Sequence, residues 1–317
     1  MNKKYIFFDI DGTLTDRKTG QIVPSAAEAV KKLQQAGHFV AIATGRACYK
    51  AEHFRKDNGF KHMVCNGGHG IIYDGELKEN HPLNYKNAKA VYDQARELGY
   101  GIYTAIDDSN KVYAADFLFH EQAGMRKEPS VYIINPDFDP DETKTIYKMY
   151  VSIPEAEEER LTTKEKVGHL RFEKEYLMFQ PDAKREGILK MLSYAGGTPE
   201  NVVVFGDDYN DLDMFDERFF KVAMGNGCDA LKEKADYVTD ENVKDGIYKT
   251  CERLGGFEED ICDNGLSGFE DAKFLQEVSA SYRNSKLRMH NFDGKHPHII
   301  ENVGCRCKIY EGSIFRF

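Results

Sequence analysis

Three short stretches of this chain are apolar without a break and then stop abruptly at small or acidic residues. Tyr5–Phe8 runs into Asp9, Phe39–Ala43 into Thr44-Gly45, and Val202–Phe205 into Gly206-Asp207. A strand with one wet face alternates apolar and polar residues, whereas a continuous run needs cover on both faces. Helical patterns separate the runs. Ser25 is placed to cap a helix through Gln35 that Gly37 stops, and Arg185–Tyr194 carries Ile188, Leu189, Met191 and Leu192 ahead of Gly196-Gly197. Strand, helix and strand in that order predict an α/β fold, a parallel sheet with helices on both faces. Ligands bind such sheets beyond the carboxyl ends of the strands, so the three polar exits should meet in one place.

The texture changes between Pro82 and Gln180. A helix is expected over Lys86–Leu98, and Gly101–Ile106 with Lys111–Phe117 should form a hairpin around Asp107-Asp108-Ser109-Asn110. Met149–Ile153, His169–Glu173 and Tyr176–Gln180 are further strands, with a charged helix over Glu155–Lys166 whose acidic run is a solvated face. Mixed short elements of this kind predict an α+β insert with its own small sheet. At 317 residues, two domains are the natural expectation. The boundaries that follow are 1–81 and 181–256 for an interrupted main domain, 82–180 for the insert, and 257–317 for a C-terminal extension. In that extension Ser267-Gly268-Phe269-Glu270 reads as a capping box before a helix with Phe274, Leu275 and Val278, and the sequence is irregular beyond Ser285.

Asp9-Ile10-Asp11-Gly12-Thr13 is the sharpest chemical signal. Two carboxylates two residues apart leave a buried strand where Gly12 permits a tight turn. One carboxylate can attack phosphorus, and the second can protonate a leaving oxygen and then activate water. Gly206-Asp207-Asp208-Tyr209-Asn210-Asp211 follows another apolar strand. Like charges packed together are costly unless a cation offsets them, and magnesium takes hard oxygen ligands of this kind, with Asp207 facing Asp9. Thr44-Gly45-Arg46 offers a hydroxyl and free amides to a phosphate oxygen, and Lys184 a positive charge.

These four motifs, in this order, resemble the haloacid-dehalogenase superfamily, and within it the Cof-type sugar-phosphatase-like branch. Asn66-Gly67-Gly68, Ala223-Met224-Gly225-Asn226 and Ala235-Asp236-Tyr237-Val238-Thr239 add to the likeness, which spans about residues 1 to 255. The resemblance implies a Rossmann-like core with an inserted α/β cap between the second and third motifs. It implies Asp9 as nucleophile and Asp11 as acid/base. Magnesium would be held by the Asp9 side chain, the Asp11 backbone carbonyl and Asp207. Phosphate would be gripped by the Ile10 amide, Thr44, Gly45, Lys184 and Asn210, with Asp211 in support. The activity implied is a Mg2+-dependent phosphatase of small metabolites, sugar phosphates or cofactor phosphates, working through an aspartyl-phosphate. A phosphomutase with the same covalent chemistry and a non-catalytic sugar-phosphate sensor are the alternatives.

Composition narrows the partners. A net charge of −10 argues against nucleic acid, and an anionic substrate would need a locally positive site. No apolar run reaches the length of a membrane span, and Tyr5–Phe8 is too short for a signal peptide, so a cytoplasmic location is expected. The seven cysteines lack CxxC spacing and read as reduced thiols, Cys48 among them as a spectator near the site. His290, His296, His298, Cys305 and Cys307 fit no standard zinc pattern. Arg46 is equally suited to substrate and to a structural salt bridge. The oligomeric state is left open.

Overall fold

The computed structural model describes residues 3–128 and 130–257, together with the backbone of 299–302, 305–310 and 313–315. Residues 1–262 form one compact unit and 263–317 a second.

The first unit opens with β1 (Tyr5–Phe8), α1 (Pro24–Gln35), β2 (Phe39–Ala43), α2 (Cys48–Asp57), β3 (His62–Cys65), β4 (Gly70–Tyr73) and β5 (Glu76–Asn80). Pro24 opens α1, with its fixed φ and absent N–H suited to that position, and Ser25 lies inside the first turn. The cap expected of Ser25 is therefore corrected: Val23 stands there without a side-chain hydrogen bond.

The chain then leaves for a second sheet. It makes α3 (Tyr85–Glu97), β6 (Ile102–Ala105), β7 (Lys111–Ala114), α4 (Leu118–Ala123), β8 (Val131–Ile134), α5 (Pro140–Thr143), β9 (Lys148–Val151), β10 (His169–Glu173) and β11 (Tyr176–Phe179). The charged helix expected over Glu155–Lys166 is two separate 3-10 turns, Glu155–Arg160 and Lys164–Lys166. Glu155, Glu157, Glu158 and Glu159 crowd one short stretch with like charge, which opposes a continuous helix there. The order across this sheet is β10-β11-β9-β6-β7-β8, antiparallel except for the parallel pair β7 and β8. One face packs on α3 through Ala88, Val91 and Ala95 against Ile102, Met149, Val151, Leu177 and Phe179. The other carries Tyr103, Ala105, Val112, Tyr150 and Met178.

The chain returns through α6 (Lys184–Ala195), β12 (Val202–Gly206), β13 (Phe220–Ala223), α7 (Asp229–Lys234), β14 (Tyr237–Val238) and α8 (Gly246–Arg253). The main sheet has the order β14-β13-β12-β1-β2-β3-β4-β5. β14 through β3 are mutually parallel, and β4 and β5 add an antiparallel edge. The unbroken apolar runs have the cause expected of them. Ile6, Phe8, Val40, Ile42, Val203 and Phe205 join a core with Ala29, Val30 and Leu33 of α1. Tyr5, Phe7, Phe39, Ala41, Val202 and Val204 point the other way, to Ile188, Met191 and Leu192 of α6. Phe7 and Phe8 are both fully buried, each contributing roughly 1.5–3 kcal/mol relative to exposure. The α/β class, with a parallel sheet and an inserted second sheet, is the one the sequence predicts.

Cys48 and Cys65 are joined in a disulfide, with Cα atoms 5.3 Å apart. This corrects the expectation of reduced thiols throughout. The exits of the neighbouring strands β2 and β3 bring the start of α2 against the end of β3, a proximity that a spacing of 17 residues does not reveal. Gly70 leaves room for the bridge, because a Cβ there would lie 2.3 Å from the Cys48 sulfur. Cys228 and Cys251 are free.

In the second unit the backbone forms an antiparallel sheet of β15 (Ile299–Asn302), β16 (Cys305–Tyr310) and β17 (Ser313–Phe315), where irregular chain was expected. The capping box at Ser267, its helix, and His290, His296 and His298 lie outside the described residues.

Candidate active site

The exits of β1, β2 and β12 meet above the middle of the main sheet, as parallel neighbours must. Asp9 follows β1 and is 3% exposed; Asp207 follows β12 and is 1% exposed. Lys184 is the first residue of α6, one position before the Arg185 start that the sequence pattern predicts. Its ammonium is buried and donates to Asp9 Oδ1 at 2.7 Å and to Asp211 Oδ1 at 2.5 Å. Asp211 Oδ2 accepts from the backbone amides of Asp207 and Asp208, so one oxygen of Asp211 holds Lys184 and the other holds the loop. Asp207 accepts from the Thr13 hydroxyl at 2.8 Å.

Carboxylate atoms of Asp9, Asp207 and Asp211 lie within 4.8 Å of one another, a group that could hold a metal ion. The electrostatics agree. Burial, then the charge of Asp211, pushes Asp9 well above the usual carboxylate range against the opposing pull of Lys184. The same two causes raise Asp207 to about 6. Burial alone would lower Lys184, but Asp211 and Asp9 outweigh it and hold the ammonium charged. Three acids against Lys184 and the solvent-side Arg17 still leave an excess of acid in a dry place, and oxygen donors of this type suit a hard divalent cation.

Asp11 points outward and is clamped by Arg46, whose Nε and Nη2 donate to its two oxygens at 2.8 and 2.5 Å. Burial would raise Asp11, but the bonds and charge of Arg46 outweigh it and hold the carboxyl below its ordinary value. Arg46 thus pairs with Asp11 while also lining the cleft. Thr44 is buried, and its hydroxyl accepts from the Arg46 amide at 3.1 Å. Ile10 is buried, and its carbonyl accepts from both the amide and the hydroxyl of Thr15. Asn210 lies opposite Gly45.

Asp9, Asp11, Thr44, Gly45, Arg46 and Asn210 open into a cleft of about 540 Å³ whose other wall is the second sheet, while Ile10, Lys184, Asp207 and Asp211 are buried outside its lining. Gly45, Arg46 and Asn210 face Asp108, Arg126, Lys148, Tyr150 and Gln180 across it. That volume suits a small metabolite.

Sequence reasoning missed three contributors. Arg17 donates from solvent to Asp207 and Asp208, both at 2.7 Å, across some 190 positions of sequence. Asp108 accepts from the Cys48 and Tyr49 amides, each at 3.1 Å. Lys148 donates to the Gly45 carbonyl at 3.1 Å and to Gln180 Oε1 at 2.8 Å. Only the Asp-Asp-Ser-Asn turn around Asp108 carried any local signal.

Comparison with known proteins agrees with this architecture. Residues 6–250 match the family of haloacid dehalogenase-like hydrolases, and the chain belongs to that family. It is 29% identical over 257 residues to the putative phosphatase YkrA of Bacillus subtilis, spanning 80% of this chain and 99% of that protein. It is 30% identical to the phosphoglycolate phosphatase of Methanobrevibacter smithii, again over 80% and 99%. A solved structure of a protein from Geobacillus kaustophilus superposes with a TM-score of 0.66 at 29% identity, over 80% of this chain and all of that one. No helix among the described residues is long and apolar enough to cross a membrane.

Proposed function

We propose that this protein is a phosphatase that hydrolyses small phosphorylated metabolites through a phosphoryl group carried on Asp9. The observation that carries the reading is the buried Asp9–Lys184–Asp211 chain, ending at a cleft lined by Thr44, Gly45 and Asn210. Relatives named as phosphatases of phosphoglycolate and of pyridoxal phosphate support the same class of substrate.

Asp9 attacks phosphorus through a carboxylate oxygen, and the bond from phosphorus to the substrate oxygen breaks. Asp11 gives the departing oxygen its proton, then takes one from a water that attacks phosphorus and frees Asp9. In the present arrangement Arg46 holds Asp11 ionised, the form that accepts a proton from water. An arriving phosphate competes for Arg46, and its negative charge favours protonation of Asp11. Lys184, the Ile10 amide, Thr44, Gly45 and Asn210 hold the phosphoryl oxygens, whose charge is what catalysis must stabilise. Asp211 keeps Lys184 and the loop after β12 in place. The Asp9 and Asp207 side chains and the Asp11 carbonyl would hold Mg2+, which supplies positive charge against the repulsion between Asp9 and an incoming dianion.

The test is phosphate release from a panel of sugar phosphates, nucleotides and cofactor phosphates, with Mg2+ and with chelator. Release from at least one compound that chelator abolishes is expected, and Asp9→Asn should lower it more than about 1,000-fold with the melting temperature retained. An active Asp9→Asn protein would sink the covalent route.

A further inference from the structure

The cations of the cleft are nearly all matched with carboxylates. Arg17 has Asp207 and Asp208, Arg46 has Asp11, and Lys184 has Asp9 and Asp211. Lys50 and Arg126 share Glu128, at 2.5 and 3.0 Å. Lys148 is the exception: among the described residues no carboxylate lies within ion-pair distance of it. Its two bonds go to neutral oxygens, the Gly45 carbonyl and the Gln180 amide, and an ammonium has three protons to give. Asp108, the acid nearest in kind, is occupied by the amides that open α2.

Lys148 also stands among like charges. It shares a sheet face with Tyr150, two residues along β9, and the Arg126 guanidinium stacks 3.5 Å over that ring. The Nε of Arg126 is itself buried without a partner. Three cations, Lys50, Arg126 and Lys148, therefore meet two acids, Glu128 and Asp108, and one positive charge is left over in a chain whose net charge is −10. Burial, with Lys50 and Arg126 adding to it against the pull of Glu128 and Asp108, draws Lys148 down to about 8. Lys148 is half-buried in the wall of the cleft, so the charge that has no carboxylate of its own is open to a ligand there.

We propose that the substrate is a phosphorylated acid, whose carboxylate lies on Lys148 while its phosphate lies on the Asp9 side of the cleft. The single unmatched charge suits a carboxylate better than a second phosphate dianion. The inference rests on the phosphatase reading of the same cleft and names the substrate class within it. Lys148 becomes a specificity-determining residue, placed against Gly45 so that acid group and phosphate are measured against one loop.

The experiment compares ligands that differ only in a carboxylate and a hydroxymethyl group: 3-phosphoglycerate with glycerol 3-phosphate, and 6-phosphogluconate with glucitol 6-phosphate. Calorimetry on the Asp9→Asn protein with Mg2+ present reads binding without turnover. The acid of at least one pair should bind tenfold or more tightly than its alcohol. Lys148→Met in that background should bring the two members within twofold of each other, and Lys148→Arg should restore the preference. Equal binding within both pairs, or none, would overturn the proposal. So would a Lys148→Met protein that loses both members alike, the result expected if the lysine only ties the sheet to Gly45. Turnover of p-nitrophenyl phosphate by the unaltered protein tests the phosphatase reading separately. Turnover without a preference for the acids fells only this inference, and preference without turnover fells only that reading.

Discussion

At the scale of single residues, Gly12 shows how little freedom the site allows. Its φ is +95°, and a Cβ built there would sit 2.2 Å from Asp207 Oδ2 and 2.5 Å from Arg17 Nε. Gly37 also has positive φ, but nothing lies within 4 Å of where its Cβ would be. Gly12→Ala combines backbone strain of roughly 1–2 kcal/mol with a push on the Asp207 carboxylate. Phosphate release should fall about 100-fold or more, because an ångström of misplacement costs that much, while the melting temperature drops by only about 2–8 °C. His62 tests a different property. It stacks on Phe39 at 4.2 Å and its Nδ1 accepts from the Asp74 amide, and burial draws its pKa from 6.5 to about 4. The unfolded chain then binds the proton that the folded one refuses, so stability falls as pH drops from about 6.5 towards 4. Thermal melts across that range should show a shallower slope for His62→Phe; an unchanged slope would dismiss His62 as the cause. Asp9, Thr44 and Asp207 were legible in the sequence because each stands at the exit of an apolar run. Arg17 and Lys148 were not, since their partners lie some 190 and 100 residues away.

At the scale of elements, the most telling arrangement is the start of α2. Ala47 occupies its N-cap position and makes no side-chain hydrogen bond, so the first amides of the helix need an acceptor from elsewhere. Asp108, on the turn between β6 and β7, supplies it from sixty residues away. A carboxylate is also the charge that a helix amino-terminus favours. The second sheet is thereby fastened to the main one beside the loop that carries Thr44, Gly45 and Arg46. Asp108→Ala should cost about 1 kcal/mol, in keeping with a lost cap, and raise KM more than it lowers kcat. Hydrogen exchange at the Cys48 and Tyr49 amides should quicken in that variant, and unaltered exchange would refute the fastening. Two of the strands that sequence missed share a reason: β5, reading Glu76-Leu77-Lys78-Glu79-Asn80 and nearly all polar, is an edge of the main sheet, and β8 is an edge of the second. Strands covered on both faces announce themselves; edges with one wet side do not.

At the scale of the molecule, the second sheet runs from β6 to β11, within the stretch from Pro82 to Gln180 whose short mixed elements differ from the buried runs around it. The order of strands in each sheet was not legible, because crossovers decide it and they leave no mark in composition. The disulfide was hidden for the same reason, resting on which strands become neighbours. One consequence of that order concerns time. β1 carries Asp9 and lies between β2 and β12, paired residue for residue from Tyr5↔Val202 to Phe8↔Phe205. A ribosome adding about 5–20 residues per second needs roughly 10–40 s between making the first of those strands and its partner. During that interval one edge of the central strand stands open, and the intervening sheet, whose contacts are nearer in sequence, has the chance to form first. The strand that carries Asp9 is thus made long before one of its two neighbours and is enclosed only when that neighbour arrives.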